Sequence, residues 1–321
     1  MSKNKPLLSA EEQIEHMKSK GIEFSLFDEA QALQYLQFNC YFYKIYAYRK
    51  NYPKYQAGPN EGLYIGLDFA YLVDLAEIDM KLRQLLLIMT LDVEHYAKLK
   101  LLRYAEENNE DGQCIYHEFV EWLRNLDSKR DTSFSDYNAF MNEVKRSSSS
   151  TYTKNIYSHL DLNKIPLWTL IEIVPFGRFL SIYRFVGNKY QNKEMQSDFY
   201  LLLSCKEIRN AASHSSCILN ELQANTKVHE PSFDMVNELK TKTNISNNII
   251  NKKMSNERIR EITTVFYTHR RLVTSNSVNA SVCRKAEMLK RRIEKNCIFY
   301  EENDLIASNL QFICEVLDSW Y

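Results

Sequence analysis

Glycine and proline are both scarce, seven and six residues in a chain of 321. Regular apolar–polar alternation is rare as well, whereas long Leu-, Ile- and Tyr-rich stretches carry helical spacing. These features exclude a sheet-rich or loop-rich protein and predict an all-α fold. The chain has no net charge, because 41 Lys and Arg balance 41 Asp and Glu, so total charge names no partner. The seven cysteines, such as Cys40, Cys114 and Cys205, form no C-x-x-C pair. That pattern fits reduced, buried thiols in a cytoplasmic protein. No uninterrupted apolar run is long enough to cross a bilayer. Asp79, Lys81, Arg83, Asp92 and Glu94 break up the best candidate, and no membrane partner is expected. The start, Met1-Ser2-Lys3-Asn4-Lys5-Pro6, leads into a polar helix and not an apolar signal core. The length sits at the upper limit for one core, so one large domain, or one domain with an extension, is expected.

Ser9-Ala10-Glu11-Glu12 reads as a capping box that opens a short helix, and Gly21 closes it. A second helix is expected from near Asp28 through Ala32, Leu33 and Leu36 into Tyr41. Two helices about a glycine could read DNA, but the second is apolar and acidic, which argues against it. Residues 35–55 are crowded with aromatics, among them Phe38, Tyr41, Phe42, Tyr43, Tyr46, Tyr48 and Tyr52. Lys44, Arg49, Lys50 and Lys54 lie between them. A stacking surface for single-stranded RNA is one reading. Core packing with wet hydroxyls is the favoured one. Pro53, Gly58, Pro59 and Gly62 mark a loop.

From Asp68 to Asn108 the pattern is helical throughout, with Leu72, Leu75, Ile78, Leu82, Leu85, Leu86 and Met89 at spacings of three and four. Asp79 and Arg83 form an i,i+4 pair. Asp92, Glu94 and His95 could suggest a metal, but no second ligand cluster accompanies them and a solvated face is the simpler reading. Residues 127–158, with the serine run Ser147 to Ser150, read as a mobile connection holding a short helix near Tyr137 to Val144. A helix resumes after Pro166, is split at Pro175-Phe176-Gly177, and ends at Gly187. Another runs from about Asp198 to Arg209.

That last helix delivers Arg209-Asn210-Ala211-Ala212-Ser213-His214. On a helix Asn210 and His214 share a face, and Arg209 is one step round. A guanidinium offers a planar fork for phosphate, and an imidazole moves protons near neutral pH. These are the minimum parts for cutting RNA without a metal, and no metal or other cofactor is expected. The plain alternative is a helix end with Arg209 solvated and His214 filling the C-terminal cap.

Several ordered pieces make residues 5–222 resemble the abortive-infection family of bacterial phage-defence proteins, the AbiD/AbiF-like group. Lys5-Pro6-Leu7-Leu8-Ser9-Ala10-Glu11-Glu12-Gln13-Ile14 with Lys20-Gly21-Ile22 resembles its opening. Tyr41-Phe42-Tyr43-Lys44, then Asp79-Met80-Lys81-Leu82-Arg83 and Glu94, resemble its middle. Pro166-Leu167-Trp168, Glu172 and Phe176-Gly177 resemble a later landmark, and Arg209-Asn210, His214 and Asn220 its closing motif. That motif is also similar to the R-x4-6-H motif of HEPN domains, which are all-α bundles and in many cases metal-independent endoribonucleases. The resemblance implies Arg209 as phosphate clamp, His214 as acid/base and Asn210 as the residue that orients them. It also implies two copies of the motif facing each other in a homodimer. Two departures stand out: Ser213 where the family often has alanine, and Ser215 where it often has a second histidine.

Residues 1–222 are therefore expected to form the Abi-like, HEPN-like bundle, and 223–321 a helical extension. Residues 225–256, rich in Asn, Thr and Lys, read as a partly ordered connection. Helical spacing returns from Ser255. Between Lys252 and Lys295 twelve basic residues face four acids, a net charge of +8 hidden in a neutral chain. Arg270, Arg271, Arg291 and Arg292 are its candidate RNA contacts. The opposing reading is that these charges pair with the acidic bundle and dock the extension. Two functional classes follow. One is a toxin-like ribonuclease that halts growth during infection, restrained by an RNA or protein antitoxin. The other is a degenerate module that holds RNA or a protein without cutting.

Overall fold

A computed structural model describes residues 7–110, 112–129 and 134–321. Lys5 and Pro6 of the family-like opening lie outside the described residues. In chain order the helices are α1 (Ala10–Lys18), α2 (Glu29–Phe38), α3 (Phe42–Ala47), α4 (Phe69–Glu107), α5 (Gly112–Ser128), α6 (Asp136–Arg146), α7 (Lys154–Ser158), α8 (Leu167–Ile173), α9 (Phe176–Lys189) and α10 (Lys193–Ser213). They continue with α11 (Phe233–Lys242), α12 (Asn247–Met254), α13 (Glu257–Leu272), α14 (Asn276–Lys295) and α15 (Asp304–Trp320). Two two-residue strands, β1 (Ile22–Glu23) and β2 (Leu67–Asp68), pair in parallel. The fold is all-α. Among the described residues no helix is long and apolar enough to cross a membrane.

The chain divides into two compact units. One comprises residues 1–89, 208–270 and 274–321, the other residues 90–207 and 271–273. Residues 223–270 and 274–321 thus share a unit with the N-terminal helices.

In the first unit the apolar face of α4 is buried as its spacing predicts, from Leu72 and Leu75 to Leu86 and Met89. Three buried aspartates organise the polar contacts around it. Asp68 accepts the backbone N–H groups of Ser25 (2.8 Å), Leu26 (3.2 Å) and Ala70 (2.8 Å), fixing the entry to α4. Asp74 accepts from Arg292 and the Tyr300 hydroxyl, both at 2.7 Å, and from Asn296 at 2.5 Å. Burial, then the Asp74 charge, pushes the Tyr300 phenol well above its ordinary range. Asp79 faces the turn after α10. Gly21 carries a φ of +79°, and a Cβ there would meet Leu63 Cβ at 3.0 Å. Only glycine lets this turn lie against residues 63–64.

In the second unit α5 packs on α6, α8 and α9. Its buried residues Ile115, Phe119 and Leu123 recur every four positions. Phe119 meets Phe140 and Phe185 edge to face at 5.4 and 5.6 Å. Asp198, 1% exposed, collects Lys100 at 2.7 Å and Arg271 at 3.2 Å.

Several expected boundaries move. The second helix stops at Phe38, short of Tyr41, and α3 starts afresh at Phe42. Residues 127–158 are more helical than a mobile connection: outside 130–133, which are not described, they hold α6 and α7. Asp127 ties the start of α6 down by accepting from the Ser135 hydroxyl and the Asp136 N–H, both at 2.8 Å. Pro175 does separate α8 from α9. Gly187, however, lies inside α9, where a Cβ would come within 3.1 Å of Met195 Cβ, so it serves close packing and not termination. The next helix begins five residues before Asp198 because Asn192 caps it, accepting the Met195 N–H at 3.0 Å. Residues 225–256 hold α11 and α12, capped by Ser232 and Ser246.

Candidate functional site

Arg209 and Asn210 occupy the last turn of α10, and His214 is the residue just past its end. Asn210 and His214 are exposed and Arg209 is half-buried. The helix stops in a Schellman arrangement. Ser215 adopts a left-handed conformation (φ 55°) and its N–H bonds Ala212 O at 3.1 Å, while the Ser216 N–H reaches Ala211 O at 2.8 Å. His214 donates its backbone N–H to Asn210 O at 3.0 Å. Its position is therefore that of the C-terminal cap, as the plain reading of the motif has it, and the imidazole remains open to solvent.

The turn beyond is fixed from behind by a buried polar cluster. Asp79 accepts the backbone N–H groups of Ile218 (2.9 Å) and Leu219 (2.7 Å) with one carboxylate oxygen. Its other oxygen takes the Tyr48 hydroxyl at 2.7 Å and the Arg83 guanidinium. Arg83 also donates to Ser216 O at 3.3 Å. Asn51, 2% exposed, completes the clamp, donating to Leu219 O at 2.8 Å and accepting the Leu222 N–H at 3.1 Å. Asp79 and Arg83 are thus more than a helix-surface pair. Four buried bonds converge on one carboxylate that holds Ile218 and Leu219, four and five residues after His214, while Arg83 holds Ser216. Arg209-Asn210 and His214 are local in sequence, but their support comes from 130 and more residues away. The available signal was a charged pair interrupting an otherwise apolar helix face.

The aromatic stretch divides. Tyr48 and Tyr52 are buried, whereas Phe38, Tyr41 and Tyr43 are 79%, 63% and 80% exposed. Phe42 stacks on Tyr46, which in turn lies under the Arg49 guanidinium, 3.6 Å from the ring centre. Cys217 Sγ contacts Lys44 O at 3.5 Å, so the segment bearing Tyr41 and Tyr43 lies against the turn that follows His214. In the second unit, Trp168 and Glu172 of the later landmark are exposed one turn apart on α8, while Leu167 and Phe176 are buried.

The four basic candidates of the C-terminal region are engaged in ion pairs. Arg292 pairs with Asp74 (2.7 Å) and Glu77 (2.8 Å) and is 14% exposed in its side chain. Arg270 pairs with Glu238, and Arg271 with Asp198 and Glu194. Arg291 pairs with Glu287 one turn earlier but stays 75% exposed. Arg284, Arg291 and Lys295 are exposed at helical spacing on one face of α14. Glu94 pairs with Lys98 at 3.3 Å. Among the described residues no group of three or more His, Cys, Asp or Glu side chains is placed to hold a metal ion.

The molecule is thus an all-α protein with an Arg-Asn-x3-His segment at a helix end, set on a buried clamp. The family model described as Abi-like protein matches residues 34–220, more than half of the chain, and the chain belongs to that family. Membership points to abortive-infection defence against phage. No curated protein and no solved structure matches the chain.

Proposed function

We propose that this Abi-like chain is a metal-independent endoribonuclease that halts growth during infection. The observation that supports this best is the exposed Asn210 and His214 beside half-buried Arg209 at the end of α10, with the following turn held by Asp79, Arg83 and Asn51. RNA carries its own nucleophile, the 2′-hydroxyl. A base removes its proton, the oxygen attacks the adjacent phosphorus, and an acid protonates the leaving 5′-oxygen. His214 supplies proton transfer, worth about 10²–10⁴-fold. Arg209 holds the charge that builds on the phosphorane. Asn210, a turn before His214, orients the pair. Exposed Tyr41 and Tyr43 offer faces on which flanking bases stack.

The test is brief induction in cells followed by sequencing of RNA ends. New ends bearing 2′,3′-cyclic phosphate are expected, and purified protein should keep cutting in EDTA. His214→Ala and Arg209→Ala should each lower cleavage by about 100-fold or more and relieve growth arrest, with helical circular dichroism unchanged. A requirement for Mg²⁺, or 3′-hydroxyl ends, would overturn the mechanism. Ser215 favours a second reading, because the family often has a second histidine there. A module that only binds would retain RNA without producing new ends.

A further inference from the structure

Lys253 differs from the other basic side chains of the C-terminal region. It lies in the last turn of α12 and is 6% exposed. Its ammonium donates to Ser308 Oγ at 2.8 Å and Asn309 Oδ1 at 2.9 Å. Both acceptors are neutral, and among the described residues no carboxylate forms an ion pair with it. An ammonium has three donors, and the protein takes two. Burying such a charge without a counter-charge is costly. Burial, helped by the neighbouring Lys252, pushes the pKa down to about 8, so the group is still largely protonated at neutral pH.

This side chain lines a cavity of about 420 Å³ between α12 and α15. A smaller cavity of about 150 Å³ shares Lys252, Lys253, Ser308 and Gln311 with it. The larger volume lies within the range typical of small-molecule sites. Asp304, Ser308 and Gln311 follow one another at spacings of four and three along α15, so a single helix face forms one wall. Two adjacent lysines offer positive charge on the other. A phosphate monoester carries about −1.5 to −2 at neutral pH, enough to balance both. Asp304 disfavours a bare anion and suits a ligand that also brings hydroxyl or amino donors. The wall is tied to the turn after the Arg-Asn-x3-His segment. Asn309 donates to Leu222 O at 3.3 Å, and Asn256 donates to Glu221 O at 2.9 Å and Gln223 O at 2.7 Å.

We propose that the cavity between α12 and α15 binds a small organic phosphate, its phosphate on Lys253 and Lys252 and its hydroxyl or amino groups towards Asp304. The experiment is calorimetric titration of the full chain with the four ribonucleoside monophosphates, inorganic phosphate and adenosine. Saturable binding of at least one nucleotide is expected, with both fragments weaker. Lys253→Met, which keeps chain length and removes charge, should weaken that binding by about tenfold to a hundredfold. Lys252→Ala, an exposed change that leaves the fold intact, should weaken it several-fold. Hydrogen exchange should slow on α12 and the first half of α15 when the nucleotide is bound. No binding by any nucleotide at millimolar concentration would overturn the assignment. So would affinity unchanged in both variants, an exchange footprint elsewhere, or inorganic phosphate binding as tightly as the nucleotide.

Discussion

Asp79 shows how much one side chain can hold in this molecule. Its two oxygens satisfy two backbone N–H groups, a tyrosine hydroxyl and a guanidinium, all away from water. Removing it strands Arg83 in a buried site and releases the Ile218 and Leu219 amides. Losing one partner of a buried ion pair costs about 3–5 kcal/mol. Asp79→Ala should therefore lower stability by that order in urea denaturation, and should abolish the proposed cleavage although Asp79 is fully buried. Asp79→Asn, which keeps shape and one acceptor, should fall between. A variant as stable as the parent would show that the turn is held by something else. Ser215 is informative for another reason. Left-handed backbone normally selects glycine or asparagine, and here a serine accepts it to end α10.

Among the elements, α14 separates docking charge from surface charge. Its inner side carries Arg292, bound to Asp74 and Glu77 of α4. Its outer side carries Arg284, Arg291 and Lys295. The two sides predict different outcomes for the same Arg→Ala change. Arg292→Ala should lower the melting temperature, corresponding to a loss of about 3 kcal/mol, and leave the salt dependence of RNA binding alone. Arg291→Ala combined with Arg284→Ala should leave the melting temperature alone. If the outer face holds RNA, the pair should flatten the slope of log affinity against log salt by about 0.7 per lost phosphate contact. An unchanged slope in the double variant would remove α14 from the RNA-binding surface.

For the molecule as a whole, the proposed cleavage favours a dimer. A single His214 cannot easily serve as both base and acid in one turnover, and Ser215 supplies no second imidazole. Two chains related by a two-fold axis would bring two copies of Arg209 and His214 to one cleft. Light scattering should show a dimer at micromolar concentration. Mixing His214→Ala protein with Arg209→Ala protein should restore part of the cleavage if each cleft draws on both chains. A monomer that still cuts would rule this assembly out.

The all-α class, the capping box at Ser9, the apolar face of α4 and the break at Pro175 could be read from the sequence because each rests on local spacing or backbone stereochemistry. The Arg-Asn-x3-His segment is visible there too, since its members lie within six residues of one another. Gly187 read as a stop because a glycine's local freedom is visible in sequence, whereas its approach to Met195 is not. Residues 127–158 and 225–256 read as connections because their polar composition hides short helices that depend on caps and on partners packed against them. Whether a given arginine pairs inward or faces water is likewise absent from a charge count. Arg291 and Arg292 are neighbours in sequence, yet one helical step of about 100° sends them to opposite fates. Tertiary structure alone decided that Asp79 clamps the turn after His214 and that Lys253 is buried beside a cavity, because both depend on contacts between residues 55 to 140 positions apart.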